Sequence, residues 1–223
     1  LAILGILYAV LSNGYWLRSA LIASMAGVWG FRLAFYLLFT RVIGHPEEGR
    51  YQELRRQWKT NISAKFLAFF EFQALLCVVL AIPFLLIARN STPELSVVEW
   101  TAIALWIFAM AGEALADAQL TRFKSDTANK GRTCQVGLWH YSRHPNYFFE
   151  WLIWVAYALF ALPSEDIGFT GFFMPALMLY FLMKVTGIPA TEAQALRSKG
   201  KAYADYQART SVFIPLPPRR NAP

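Results

Sequence analysis

Charged residues make up only 16% of this 223-residue chain, and cysteine is rarer still. The two cysteines, Cys77 and Cys134, form neither a disulfide framework nor a metal-ligand spacing. The sequence also lacks a glycine-rich dinucleotide turn, a phosphate-binding loop, a paired-histidine zinc motif and a serine-nucleophile motif. We therefore expect no metal site, and any nucleotide that binds here is not held by a Rossmann turn.

Hydrophobic side chains dominate instead. They account for 57% of the residues, aromatic ones for 16%, and the mean hydropathy is +0.36. Soluble domains are nearer 45–50% apolar, so the composition predicts an integral membrane protein built as an all-α bundle. Six apolar segments approach the roughly 20 residues that a span requires: 1–12, 19–41, 64–88, 96–116, 147–163 and 168–188. The first is short, and we expect it to be a truncated helix with a seventh helix upstream of Leu1.

Basic residues fall on one side of this predicted topology. The loops 42–63 and 117–146 and the tail 189–223 share one face and carry most of the 21 Lys and Arg residues, whereas Arg18 and Arg89 lie on the other. The positive-inside rule then places the loops and the C-terminus in the cytoplasm, and we expect a bacterial inner membrane. The basic excess, 21 against 14 acids, is explained by these loops, and no nucleic-acid partner is predicted. We expect a single domain, 1–188 with its tail.

Polar residues interrupt two of the segments at the same predicted depth. Glu113 and Asp117 are four residues apart, as are Asn146 and Glu150, so each pair lies on one face of its helix. A buried ionisable group in a membrane is costly and is a functional candidate. Bases follow in and near the joining loop: Arg122, Lys124, Arg132 and Arg143. Such a set suits a ligand with phosphates and hydroxyls, although the bases could instead pair with the acids or contact lipid headgroups.

Two further charges lie within apolar segments. Arg32, in "GVWGFRLAFY", either reaches the interface, pairs with an acid or has a function. Glu71, in "FFEFQ", is either a buried, neutral proton donor with a raised pKa or an interfacial carboxylate that reaches water.

The run "GLWHYSRHPNYFFEW", with "EALADAQLTRFKSDTANKGR" before it and "GKAYADYQARTSVFIP" after it, resembles the DUF1295 family. That family is grouped with the C-terminal domain of steroid 5-alpha-reductases and, more distantly, with isoprenylcysteine carboxyl methyltransferases. The resemblance covers about residues 25 to 218, and "WGFRLAFYLLFTRVIGHPEEGRYQELRRQW" is similar to the family's early arginine-bearing helix and polar loop.

The resemblance implies an NADPH site at the cytoplasmic ends of the last helices, completed by the tail. The residues that it implies in cofactor binding are Asp117, Arg122, Lys124, Tyr141, Arg143, His144, Asn146, Glu150, Lys201 and Tyr206. We add Arg132 from the basic loop, Tyr147 from the Arg-His-Pro-Asn-Tyr core, Glu113, which stands where steroid reductases tend to have an amide, and Arg32.

The chain departs from the steroid reductases on the substrate side. Those enzymes polarise an enone carbonyl with a Glu on an early helix and a Tyr shortly before the arginine that Arg32 matches. Here Trp29 occupies the Tyr position, and the helix of the Glu would lie at or before Leu1. Tyr36 and Glu71 are the substitutes that we predict as catalytic proton donors.

Three functions follow from these observations. The first is an NADPH-dependent reductase of a C=C bond in a steroid-like or enone lipid that enters from the bilayer. The second is an S-adenosylmethionine-dependent methyltransferase of a lipidic substrate; the cationic loop favours the reductase, because NADPH carries phosphates and adenosylmethionine carries none. The third is a non-catalytic lipid-binding bundle. Neither the substrate nor the oligomeric state follows from the sequence.

Overall fold

A computed structural model of the protein describes residues 1–44, 46–47, 49–185 and 187–219. Residues 220–223 of the predicted tail, and residues 45 and 48 of the predicted loop 42–63, lie outside this range. Within it the chain is helical and has no strand, as predicted; Ser142 and Ser211 form one isolated parallel bridge. The α-helices are α1 Ala2–Leu11, α2 Trp16–Leu37, α3 Gly49–Gln57, α4 Ile62–Leu80, α5 Ile82–Arg89, α6 Val97–Ser125, α7 Leu138–Tyr141, α8 Pro145–Ala161, α9 Phe173–Tyr180, α10 Ile188–Lys199 and α11 Lys201–Arg209.

Four helical stretches of the described residues are long and apolar enough to cross a membrane. They are Trp16–Thr40, Ile62–Arg89, Val97–Ser125 and Ile167–Lys199. Of the other two predicted spans, α1 has 10 residues and α8 has 17, and both are apolar. These helices support the prediction of a membrane protein, and four of the six predicted spans have helices of spanning length.

The ends of the helices follow local chemistry. Ser96 and Glu99 begin α6 as a capping box, in which the Ser96 hydroxyl accepts from the Glu99 N–H and the Glu99 carboxylate accepts from the Ser96 N–H. Pro83 stands in the first turn of α5, where its missing N–H costs little, and the chain breaks between α4 and α5 at Ala81. Pro145 begins α8 in the same way.

The chain forms two compact units, Leu1–Leu95 with Ser164–Gly168, and Ser96–Pro163 with Phe169–Pro223. In the first unit, α1, α2 and α5 pack together. A β-carbon on Gly5 would lie 2.6 Å from the Ala26 β-carbon, so α1 and α2 approach closely. Arg18, 1% exposed, donates to the backbone carbonyls of Asn90, Thr92 and Glu94 at 2.8–3.0 Å and so fixes the loop after α5.

In the second unit, α6 and α8 pack along their length. A β-carbon on Gly112 would lie 2.4 Å from the Phe149 ring, which shows how closely the two helices approach. Trp154, Tyr157 and Phe160 of α8 are fully buried. At 1.5 Å per residue a helix of the length of α6 extends about 43 Å, beyond the roughly 30 Å hydrocarbon core. The predicted loop 117–146 therefore begins with helix as far as Ser125.

Candidate functional site

The polar faces of α6 and α8 meet in the second unit. Asn146 donates from its side-chain amide to Asp117 Oδ1 at 3.3 Å, and Asp117 is 4% exposed. Asn146 is the second residue of α8, and Asp117 lies about two turns before the end of α6. The polar faces of α6 and α8 therefore lie at the same level, as the two i, i+4 pairs led us to expect.

The polar faces continue one turn deeper in both helices. Glu113 is buried, and Glu150, half-buried on α8, accepts from the Trp154 indole N–H at 3.0 Å. Deeper still, the Trp106 indole donates to the Tyr157 hydroxyl oxygen at 3.1 Å. Carboxylates, an amide, two indoles and a phenol thus line an otherwise apolar helix interface, and they supply it with hydrogen-bond donors and acceptors.

The turn before α8 is bonded to the end of α6. Gly137 has φ +57, and the Gln119 side chain occupies the space where a β-carbon would stand, so this position requires glycine. Gln119 Oε1 accepts from the Leu138 N–H at 2.9 Å, and the Trp139 indole donates to the Ala116 carbonyl at 2.9 Å. This role of Gln119 could not be predicted from the sequence, because its partner Leu138 is 19 residues away.

Arg143 binds the tail. Its Nε donates to Glu192 Oε1 at 2.6 Å, and its Nη1 donates to the carbonyls of Gln207 and Thr210, both at 2.8 Å. His144 Nε2 lies 3.3 Å from the same Glu192 oxygen, and Gln207 Nε2 donates to Glu192 Oε2 at 2.9 Å. Arg143 and His144, both predicted to bind a cofactor, thus make protein contacts that hold α10 and α11 against the start of α8.

Tyr206 closes the same turn from the tail. Its hydroxyl, buried with the rest of the side chain, lies within hydrogen-bond reach of the carbonyls of Trp139 and Ser142. Ser142 Oγ donates to the Phe213 carbonyl at 2.7 Å and accepts from the His144 N–H at 3.1 Å. Sequence reasoning found Tyr206 but missed Ser142, which stands inside the recognised run, and Glu192, a single acid in a polar helix.

Burial raises the pKa of three side chains around this turn. Burial, with a smaller effect of the nearby Glu192 carboxylate, raises the pKa of Tyr203 to about 12. Burial also raises the pKa of Tyr206, and the neighbouring Tyr203 contributes to that increase. Burial also raises the pKa of the Cys134 thiol, against the pull of Lys199 and Lys124. Near neutral pH both phenols and the thiol are therefore protonated.

A cavity of about 660 Å³ lies beside this turn, between the end of α6, the loop that follows it and α11. Its lining includes one arginine, two side-chain amides and one aromatic ring: Phe123, Asn129, Gly131, Arg132, Thr133, Gln135, Val136 and Ala202. Thr133 Oγ1 is buried and, among the described residues, has no hydrogen-bond partner. A buried hydroxyl without a partner is costly.

The remaining predicted cofactor residues of the second unit are more accessible. Five are exposed: Arg122, Lys124, Arg132, Tyr141 and Lys201. Tyr147 is half-buried and stacks on His144 with 5.3 Å between ring centroids.

Arg32, Tyr36 and Glu71 lie in the first unit. Arg32 and Tyr36 are half-buried and four residues apart on α2, and the Tyr36 carbonyl accepts from the Thr40 hydroxyl at 2.6 Å. Glu71 is exposed on α4. Glu71 thus lies on an exposed face of the spanning stretch Ile62–Arg89, where a side chain contacts either lipid or water, and both expectations for it stay predictions. Its neighbours on the same helix, Phe70 and Phe72, are exposed as well.

Comparison with known proteins gives one family. The family model described as "Protein of unknown function (DUF1295)" matches residues 1–210. A protein of Schizosaccharomyces pombe described as uncharacterized is 29% identical over 175 residues, which are 67% of this chain and 50% of the relative. The chain thus spans about half the length of that relative. No solved structure matches.

Proposed function

Because the chain belongs to the DUF1295 family, we propose that it is a membrane-embedded, NADPH-dependent reductase of a C=C bond in a lipidic substrate. The observation that carries this proposal is the contact between Asp117 and Asn146, through which the polar faces of α6 and α8 meet within an apolar bundle. The cofactor and the reaction class come from the resemblance of this family to the C-terminal domain of steroid 5-alpha-reductases.

The groups around the cavity fit a dinucleotide. Arg132, exposed at its wall, suits a phosphate, and Gln135 and Asn129 suit ribose hydroxyls or a carboxamide. Lys124 and Lys199 lie close enough to Cys134 to act on it electrostatically, so positive charge surrounds this loop. When bound, NADPH would supply a hydride for addition to the β-carbon of a polarised double bond.

The contribution of the chain is binding, orientation and a proton. Arg143, His144 and Tyr206 fix the turn that precedes α8, and so fix where Asn146 and Glu150 stand. Tyr36 and Glu71 remain the predicted proton donors. An apolar substrate would reach the bundle sideways from the bilayer, since the exposed side chains of its helices are largely hydrophobic.

The first test is a ligand titration of the full chain in detergent, read as the thermal-unfolding midpoint. NADPH, NADH and S-adenosylmethionine are compared at equal concentrations. A ligand at 100 times its dissociation constant stabilises the native state by about 2.7 kcal/mol. We expect NADPH to raise the midpoint most, and Arg132→Gln to weaken this effect. Arg197→Gln, an exposed arginine on α10 outside the cavity lining, is the matched control and should leave it unchanged.

Each contrary result favours another function. Stabilisation by S-adenosylmethionine without NADPH would replace the reductase with a methyltransferase of lipids. Stabilisation by none of the three, in a protein that unfolds cooperatively, would favour a lipid-binding bundle without a cofactor.

A further inference from the structure

A cluster of aromatic rings joins α3 to the first turns of α4, within the first unit. Trp58, just after α3, packs edge-on against Phe66 with 5.0 Å between ring centroids. Tyr51 of α3 lies 6.2–6.4 Å from Phe66, Phe69 and Phe70. We call these five rings the α3/α4 ring cluster. It stands at the start of the spanning stretch Ile62–Arg89, where the polar loop meets the apolar helix.

Basic side chains surround the cluster. The Arg55 guanidinium lies 4.9 Å from the centre of the Phe66 ring, and its side chain is 53% exposed. Arg56 is 74% exposed, and Lys59 and Lys65 are exposed too. This cation–π contact holds the Arg55 charge next to the aromatic rings, at the edge of the apolar surface of α4.

Acidic neighbours compensate only part of this positive charge. Glu47 accepts from Arg55 at 3.0 Å, and a Glu53 oxygen lies 3.7 Å from Arg56 Nε. Both pairs are exposed to water, where an ion pair is weak and screened. No ion pair of Lys59 or Lys65 is recorded among the described residues, so positive charge predominates at the start of α4.

From Leu67 onward, α4 presents a largely apolar surface, which the exposed Glu71 interrupts. Leu67, Phe70, Phe72, Leu75 and Val78 are 49–63% exposed. Water is a poor solvent for such a face, whereas hydrocarbon suits it. The order along the chain is therefore basic helix, aromatic rings, apolar helix, which is the order met on passing from the cytoplasm through the headgroups into the bilayer.

We propose that α3 and the α3/α4 ring cluster form a membrane-surface docking element that binds the headgroups of anionic phospholipids. The rings anchor α3 at the boundary of the hydrocarbon, and Arg56, Lys59 and Lys65 face the lipid phosphates. The excess of positive charge favours a surface of net negative charge over one of zwitterionic headgroups, in which choline offsets each phosphate. This role is separate from the proposed cofactor site and does not depend on it.

The test compares bilayers of two compositions. The full chain is reconstituted in nanodiscs of phosphatidylcholine alone or of phosphatidylcholine with about 30 mol% phosphatidylglycerol, which gives the bilayer a negative surface like that of an anionic leaflet. The thermal-unfolding midpoint is measured in both. We expect a higher midpoint with phosphatidylglycerol. Arg56→Gln with Lys59→Gln should lose at least half of this increase. The control, Arg197→Gln with Arg209→Gln, removes the same charge from exposed positions of the tail and should retain the increase.

Other arms separate a bilayer surface from a soluble anion. High salt should reduce the increase, because screening acts on exposed charge. Inorganic phosphate added to phosphatidylcholine nanodiscs should not reproduce it. The proposal is overturned if phosphatidylglycerol has no effect on the unaltered chain, if the α3 variant and the tail variant lose the increase equally, or if inorganic phosphate gives the same stabilisation.

Discussion

At the residue scale, the Arg143 side chain was predicted to bind a cofactor, but in the structure it is hydrogen-bonded to other parts of the protein. Its guanidinium meets Glu192 and two carbonyls of the tail while it is almost buried. The planar fork of arginine suits this set of acceptors, whereas the ammonium of lysine is a single point of charge. Arg143 therefore has a structural role in the absence of any ligand.

We expect Arg143→Lys to lower the stability of the ligand-free protein by about 1.5–3 kcal/mol, the range for hydrogen bonds to charged groups. The measurement is the thermal-unfolding midpoint in detergent without nucleotide. Arg197→Lys, on an exposed position of α10, should be neutral. An unchanged midpoint for Arg143→Lys, with weaker NADPH stabilisation, would show that Arg143 serves the ligand alone.

Which residues could be found from sequence depended on spacing. Asp117 and Asn146 were predictable because each belongs to an i, i+4 pair at the edge of an apolar run. Glu192 was not, because its partners Arg143 and His144 are 49 and 48 residues away, and no local period connects them. Thr133 was missed for a similar reason: only the folded loop shows that its hydroxyl is buried.

At the scale of elements, the α6–α8 contact depends on the missing side chain of Gly112. A β-carbon there would stand 2.4–2.6 Å from three atoms of the buried Phe149 ring. Gly27 of α2 has more space. A β-carbon added there would lie 3.6 Å from one Ile6 atom, which is an ordinary van der Waals contact. Small residues let helix backbones approach closely within membranes.

We expect Gly112→Ala to destabilise the protein by about 1–3 kcal/mol through overpacking. Gly27→Ala should be neutral or slightly stabilising, because alanine is the better helix former. The thermal-unfolding midpoint in detergent compares the two. A second change, Phe149→Leu, should recover part of the loss caused by Gly112→Ala. Equal midpoints for the two alanine variants would contradict the close approach.

Helix existence was easier to predict than helix length. The apolar segments 96–116 and 147–163 correspond to α6 and α8, but α6 continues to Ser125 and α8 begins at Pro145. The extra turns of α6 are polar, so hydropathy ends the segment too early. The segment 64–88 contains a break at Ala81 that hydropathy does not show, although Pro83 indicates it.

At the scale of the whole molecule, the distribution of basic residues leads to a prediction of sidedness. The loops 42–63 and 117–146 should face the same compartment, and the loop after α5 the other. These assignments come from charge and the order of spans.

Cysteine labelling checks the sidedness. In a background with Cys77→Ser and Cys134→Ser, single cysteines are placed at Gln57, Thr127 and Ser91, which are exposed. We expect a membrane-impermeant maleimide added outside intact cells to label Ser91→Cys alone, and all three variants to react after the membrane is opened. Labelling of Gln57→Cys and Ser91→Cys from the same side would contradict the span order. No change in stability is involved, so the readout is independent of the other predictions.

The bonds between the tail and the turn at residues 139–144 also set an order of events during biosynthesis. Tyr206 and Phe213 leave the ribosome after all the apolar helices, yet they bond Trp139 and Ser142. A nascent chain can therefore have its helices inserted while this turn still lacks its final partners. Insertion and maturation are therefore separate steps. A chain truncated before residue 206 would insert its apolar helices but leave this turn without its partners, and quality-control proteases would recognise it as incompletely folded.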